Sequence, residues 1–436
     1  MRRLARRQPW RVASRPGTDP QAIMNMKPPE AAGVQPSPWR IALVAMVALG
    51  VAMGIGRFIY TPLLPMMLDA RQVNMVQGGW LASANNIGYF LGALLCTVVR
   101  VDSRQTIRAS LMALAALTAG MGLADGMIAW TALRLLAGVA MGVAFVTISG
   151  WCLSWLAAMG RGDLGGIMYV GPGLGIMVGG IAGAYVQSIG LHADAGWLCS
   201  AAIAFAGAWL AWKDTARRVS GGAGRAAAPA DSKKTQTQVS PTATVRPPRW
   251  LVGMHIFCYS LAGFGYIITA TFLPVMAELA LPGQPGQAWL WPLFGLSVAL
   301  GALLVTRLPV AWNQSVLLGA AYVVQGAGVL ITILFGSLSG FGLGSALLGL
   351  PFTAITLFGM REARRLGGER VVALMGAMSA AYALGQIVGP VLAAYLYDMF
   401  GSFQVSLAAA AAVLFMGAAC YFWLAWQEGR MRTRRA

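Results

Sequence analysis

Twelve apolar runs, each about as long as a membrane-crossing helix, follow one another between residues 40 and 426. The hydrocarbon core of a bilayer needs about 20 apolar residues per helix. It holds no water, so the backbone must satisfy its own hydrogen bonds, and only helices or closed barrels can cross it. The runs are continuous and lack the ten-residue alternation of barrel strands. They cover 40–64, 76–99, 106–124, 128–152, 164–187, 195–213, 250–275, 287–306, 315–336, 338–360, 370–396 and 402–426. Composition agrees: 58% of the 436 residues are hydrophobic and 11% are charged, against about 25% charged in water-soluble domains. An ordinary cytosolic enzyme, a disordered chain and a disulfide-stapled secreted module are excluded. The fold class expected is all-α integral membrane, with twelve transmembrane helices.

Charge supplies the orientation. Of the 32 Lys and Arg, only Arg57, Arg71 and Arg134 fall inside spans or on the side opposite the termini. The excess of basic residues in cytoplasmic loops then places both termini in the cytoplasm, N-in/C-in. The expected organisation is a basic cytoplasmic tail at 1–39, a six-helix bundle at 40–213, a cytoplasmic linker at 214–249, a second six-helix bundle at 250–426 and a basic tail at 427–436. The linker is rich in Ala, Pro, Thr, Ser and Lys/Arg, a composition that stays flexible. The first 37 residues have no acid before Asp19 and read as a tail, or as an early start with Met24 or Met26 as the initiator. The net charge of +18 is concentrated in short segments and not on one surface, so no nucleic-acid partner is expected.

The chain repeats itself. A shift of 209 residues superposes Gly54 on Gly263, Gly56 on Gly265 and Pro65 on Pro274. The same shift places Trp80-Leu81 on Trp289-Leu290 and the LGALL block at 91–95 on that at 300–304. A shift of 210 places Leu174-Gly175 and Val178-Gly179 on Leu384-Gly385 and Val388-Gly389. Two parallel six-helix repeats are a transporter architecture, with the substrate site at the repeat interface.

The segments GIGRFIYTPLLPMM at 54–67, GWLASANNIGYFLGALL at 79–95 and GQIVGPVLAAYL at 385–396 resemble the YbfB/YjiJ-type branch of the major facilitator superfamily. The resemblance to the superfamily runs over 40–426. Arg134 through Gly138 resembles its Arg-containing motif in span 4, and Gly171-Pro172-Gly173 through Gly179-Gly180 its Gly/Pro-rich motif in span 5. The loop between spans 2 and 3 departs from the superfamily pattern, with only Arg100, Asp102, Arg104 and Arg108 in place of its gating motif. The resemblance implies a secondary carrier of the bacterial inner (plasma) membrane, with spans 1, 4, 7 and 10 around a central cavity.

Within that frame Arg57 and Arg134 stand out. Each lies six or seven residues from the outer end of its span, roughly 10 Å deep at 1.5 Å per residue. An arginine at that depth costs at least about 2.5 kcal/mol in lipid, so it must face protein or a wet cavity. Two guanidiniums at one level form a fork for a carboxylate or phosphate. The alternative is structural: Arg134 braces helices through their carbonyls and Arg57 reaches outward. Tyr60, Asn85, Asn86, Tyr266, Thr269, Tyr382 and Gln386 are candidates to complete the site; adjacent residues on a helix point about 100° apart, so only one of the two asparagines can face a cavity. Asp69, Asp125, Asp194, Glu278 and Asp398 fall in external loops or at span ends and the remaining acids on the cytoplasmic side, so no acid is expected inside a span. His255, near the inner end of span 7, is the candidate for ion coupling.

The function expected is a secondary active transporter that moves a small organic anion by alternating access. The partners expected are a small-molecule substrate, with H+ or an exchanged anion, and the lipid bilayer, in a monomer. Export of apolar, drug-like compounds is the alternative within the class. A non-transporting membrane receptor or a membrane-embedded enzyme is the alternative outside it. No GxxxxGK[ST] phosphate loop and no HExxH occurs, which argues against ATP-driven transport. No cofactor or metal is expected: the two histidines are His192 and His255, and the five cysteines form no CxxC pair.

Overall fold

The computed structural model describes residues 36–99, 103–213, 215, 248–284, 286–309, 312–368 and 371–433. Most of the basic N-terminal tail, with Met24 and Met26, and most of the 214–249 linker lie outside them. Among the described residues there are helices and no strands. Twelve helices are long and apolar enough to cross a membrane, one for each run read from the sequence. We number them α1 (Pro38–Asp69), α2 (Met75–Val98), α3 (Ser103–Leu123), α4 (Met127–Ala158), α5 (Gly162–Ser188) and α6 (Ala193–Trp212) in the first half. The second half holds α7 (Arg249–Ala280), α8 (Gln287–Thr306), α9 (Gln314–Leu334), α10 (Leu338–Gly367), α11 (Ala373–Phe400) and α12 (Gln404–Arg430).

Local chemistry explains the boundaries. Asn74 starts α2 with a capping box: its Oδ1 accepts from Gln77 N at 2.8 Å, and Gln77 Oε1 accepts from Asn74 N at 2.9 Å. These bonds satisfy two of the donors that a helix start leaves without partners. The turn between α3 and α4 is short because Gly126 adopts φ 95°, open to a residue without Cβ. Six helices run at least four residues past the apolar runs, since hydropathy falls before the helix stops. α1 extends to Asp69, α4 to Ala158, α7 to Ala280, α10 to Gly367, α11 to Phe400 and α12 to Arg430.

Packing follows the repeat. In the first half α1 lies on α5, α2 on α4, and α3 on α6; in the second half α7 lies on α11, α8 on α10, and α9 on α12. Glycine makes these seams. A Cβ on Gly54 would strike the backbone of Gly175 in α5, and one on Gly385 in α11 would strike that of α7 at Phe264, Ser260 and Gly263. Gly54 and Gly263 are repeat mates, as are Gly175 and Gly385, so one seam has been built twice. Small residues of this kind let helix backbones approach in lipid. Among the described residues the halves join mainly where α2 meets α11, α5 meets α8, and α1 meets α7. Exchanging the two repeats turns the first of these into the second and the third into itself.

The outer surface is apolar. Leu91, Leu94 and Leu95 are about half exposed, and so are their repeat mates Leu300, Leu303 and Leu304. The doubled LGALL block is thus an outward-facing stripe with Gly92 and Gly301 turned into the seams. Trp80 and Trp289, also mates, are exposed near the starts of α2 and α8, where amphipathic rings anchor a helix at the membrane–water boundary.

Candidate functional site

α1 is not a uniform helix. Residues Gly50–Ile55 form a π-helical turn, followed directly by the short α segment that carries Arg57. Its repeat partner α7 is α-helical throughout Arg249–Ala280. A π turn widens the helix and rotates the residues after it, and such turns occur frequently at functional sites. The sequence shows the glycines that flank the turn but does not reveal the π geometry.

Arg57 is 5% exposed. Its Nη2 donates to Asn86 Oδ1 at 2.9 Å and to Tyr266 Oη at 3.2 Å. Gln386 Nε2 donates to the same Tyr266 hydroxyl at 2.7 Å, and Asn86 Nδ2 donates to the Gln386 carbonyl at 2.8 Å. Four residues from α1, α2, α7 and α11 therefore close a ring across the two halves. Nε and Nη1 of Arg57 carry no hydrogen bond. The guanidinium lies over the rings of Phe58 and Tyr89, at 5.0 and 5.7 Å. Among the described residues no carboxylate pairs with Arg57 or Arg134.

Arg134 does something different. It is 3% exposed, and it donates from Nε to the Leu81 carbonyl at 3.4 Å and from Nη2 to the Arg57 carbonyl at 3.3 Å. Its guanidinium stacks over Tyr60 at 4.8 Å, and the Tyr60 hydroxyl donates to the Gly78 carbonyl at 2.8 Å. Asn85 Nδ2 donates to the Arg134 carbonyl at 3.1 Å. The two neighbouring asparagines thus divide: Asn86 turns to Arg57 and the second half, and Asn85 turns to α4. Both arginines, Tyr60, Asn85 and Asn86 line one chamber of about 20 Å³, room for a single water. In place of two matched prongs, one guanidinium holds backbone and the other keeps an edge free.

The remaining sequence candidates fall in two places. Tyr382 belongs with the ring: it stacks on Tyr266 at 5.9 Å and 20° and lies 5.1 Å from Tyr259. Thr269 is one turn beyond Tyr266, 1% exposed, with no partner for its hydroxyl. His255 is not part of this group. It sits eleven residues from Tyr266 on α7, about 16 Å along the axis.

Here the structure corrects the sequence reading. Glu362 and Glu428, assigned to the cytoplasmic side, are 1% and 5% exposed and surround His255. His255 Nε2 lies 3.5 Å from Glu362 Oε1 and 3.8 Å from Glu428 Oε1. Arg365 donates from Nε to both oxygens of Glu362, at 3.0 and 2.9 Å, and from Nη2 to Glu362 Oε1 and Glu428 Oε1. The one guanidinium supplies one of the two positive charges that two buried carboxylates require, and His255 lies against both acids, so the cluster is a charge network between α7, α10 and α12. The helices extend past the hydropathic limits, and that carries both acids inward. The available signal was the spacing: Glu362 and Arg365 are three apart on a helix, within pairing reach.

Comparison with known proteins agrees with the architecture. The family described as "Uncharacterised MFS-type transporter YbfB" matches residues 49–421. No curated protein matches the chain. Among solved structures, a point mutant of the nucleoside transporter NupG is similar with a TM-score of 0.64 at 12% identity, over 88% of this chain and 99% of that one. The human organic anion transporter MFSD10 (TETRAN) is similar with a TM-score of 0.60 at 16% identity, over 89% of this chain and 100% of that one. At such identities the likeness is one of fold.

Proposed function

The chain belongs to the family of YbfB-type transporters of the major facilitator superfamily, a multi-pass integral membrane protein and a secondary transporter, not an enzyme; from that premise we propose that its substrate is a small organic anion and that Arg57 is the substrate's counter-charge. One observation carries the reading. Arg57 is buried where the two repeats meet, unpaired with any described carboxylate, and keeps Nε and Nη1 free. A buried guanidinium needs a partner, and a fork of free N–H groups matches a carboxylate. Asn86, Tyr266 and Gln386 hold that fork in place, and Arg134, with Asn85 and Tyr60, positions the helix behind it.

On this reading residues 40–213 and 250–426 rock against each other as two six-helix bundles, with both termini on the cytoplasmic side of a bacterial inner membrane. The protein works as a monomer. The ring from Arg57 to Gln386 crosses the bundle interface, so it must open in each cycle. Coupling is to a proton or an exchanged anion. His255, set among Glu362, Glu428, Arg365 and Tyr421, is the residue we assign to the proton. Organic anion transport, the activity of MFSD10, is consistent with the substrate class.

The test is counterflow in proteoliposomes with a panel of small carboxylates. Arg57→Gln is expected to lower exchange of the accepted acid at least a hundredfold. Equal exchange by both proteins refutes the role of Arg57. A second reading, export of apolar compounds, draws on a cleft of about 450 Å³ between α5, α8 and α10, lined by Met177, Ile181, Trp289 and Leu293. Transport of an apolar dye that survives Arg57→Gln selects it.

A further inference from the structure

Tyrosine gathers around Arg57. Tyr89 on α2 lies beneath the guanidinium at 5.7 Å and meets Phe145 edge-on at 6.3 Å. From the other half, Tyr382 on α11 stacks on Tyr266 and lies 5.1 Å from Tyr259. Arg57 joins the two groups: it lies over Tyr89 of its own half and donates to Tyr266 of the other, on which Tyr382 stacks.

Their exposure divides them by task. Tyr259 and Tyr266 are buried, at 2% and 0%, and form a backing. Tyr89 and Tyr382 are partly exposed. The Tyr89 hydroxyl makes no hydrogen bond and is not among the fully buried atoms. A free guanidinium edge is thus flanked by two partly exposed tyrosines, one from each half.

We propose that the transported anion is an aromatic monocarboxylate, its carboxylate on the free edge of Arg57 and its ring between Tyr89 and Tyr382. This rests on the reading of Arg57 as the substrate's counter-charge. An aliphatic acid satisfies the guanidinium but leaves the ring faces unmatched. Planar rings stack on aromatic side chains in offset or edge-on arrangements, and a tyrosine on each half lets the same ligand be held from both sides as access alternates.

The experiment is calorimetric binding to the full chain in lipid nanodiscs, which avoids leakage of the free acid through vesicles. Benzoate is compared with cyclohexanecarboxylate, which matches it in charge and size but is not planar. Benzoate is expected to bind at least tenfold more tightly. Tyr89→Leu is expected to erase that preference, and Tyr89→Phe to retain it, while the melting temperatures of both variants report an intact fold. Equal affinity for the two acids, both lost in Arg57→Gln, overturns the aromatic proposal and leaves the anion reading standing. Binding of neither acid overturns both. A benzoate preference that persists in Tyr89→Leu and in Tyr382→Leu overturns the assignment to these rings.

Discussion

Arg57 and Tyr266 hold the same place in the two repeats, 209 residues apart, and their side chains touch, with Nη2 3.2 Å from Oη. Residues related by a two-fold axis meet only where they lie close to it. Thr61 does the same one turn on, donating from Oγ1 to the carbonyl of its own mate, Ala270, at 3.1 Å. The axis therefore passes between α1 and α7 at this level. The duplication has diverged there: one copy supplies the cation and the other the hydroxyl that holds it.

Tyr266→Phe tests that division. It removes an acceptor used by both Arg57 and Gln386 and keeps the ring that packs on Phe352 and Tyr382. Hydrogen bonds between membrane helices are worth about 0.6 kcal/mol on average and up to about 1.7, and bonds to charge stand at the upper end. We expect KM for the accepted anion to rise about tenfold in counterflow, with the melting temperature nearly unchanged. A KM equal to that of the parent protein removes Tyr266 from the site.

The doubled glycine seam gives a structural prediction. A side chain at Gly54 meets the backbone of Gly175 and Pro172, and one at Gly263 meets that of Tyr382. Backbone cannot step aside, and overpacking a core costs about 1–3 kcal/mol. Gly54→Leu and Gly263→Leu are each expected to lower the melting temperature by several degrees and to reduce the yield of folded protein. Gly253→Ala, with nothing near its Cβ, is expected to be silent. Melting curves of the three variants check this.

Apolar length and loop charge made the fold legible, because a bilayer imposes both on any chain that crosses it. The repeat was legible because Gly54, Trp80 and the LGALL block serve seams, boundary and lipid face alike in each copy. Arg57 was legible as an expensive residue in an apolar run. Its partners were not. Asn86, Tyr266 and Gln386 lie on three other helices, and which face each shows depends on helix rotation, including the π turn at Gly50–Ile55. The His255 cluster was hidden for another reason: a hydropathy reading stops α10 at Met360, while the helix continues to Gly367.

Arg134 separates bracing from binding. Its Nε and Nη2 hold the carbonyls of Leu81 and Arg57, so Arg134→Gln leaves carbonyls in α1 and α2 less well satisfied. Lost stability is expected, seen as a lower melting temperature, with KM within about threefold of the parent. Arg57→Gln is expected to show the reverse, a large loss of exchange with little change in melting. If the two variants behave alike in both measurements, the distinction between them is wrong.

The charge network between α7, α10 and α12 is open to a double-mutant cycle. Removing one partner of a buried ion pair costs about 3–5 kcal/mol, because the other is left unmatched. Arg365 is 38% exposed, and solvent screens it, so the cost here falls to about 1–3 kcal/mol. Glu362→Ala leaves Glu428 still facing Arg365 and His255, and Arg365→Ala leaves two carboxylates with His255 alone beside them. Arg365→Ala is therefore expected to be the more destabilising single change. The double variant Glu362→Ala with Arg365→Ala is expected to recover part of the loss, since one carboxylate then remains beside His255. Unfolding in detergent titrations checks the order. Additive losses in the cycle mean that the two side chains act independently and that the network is not a unit.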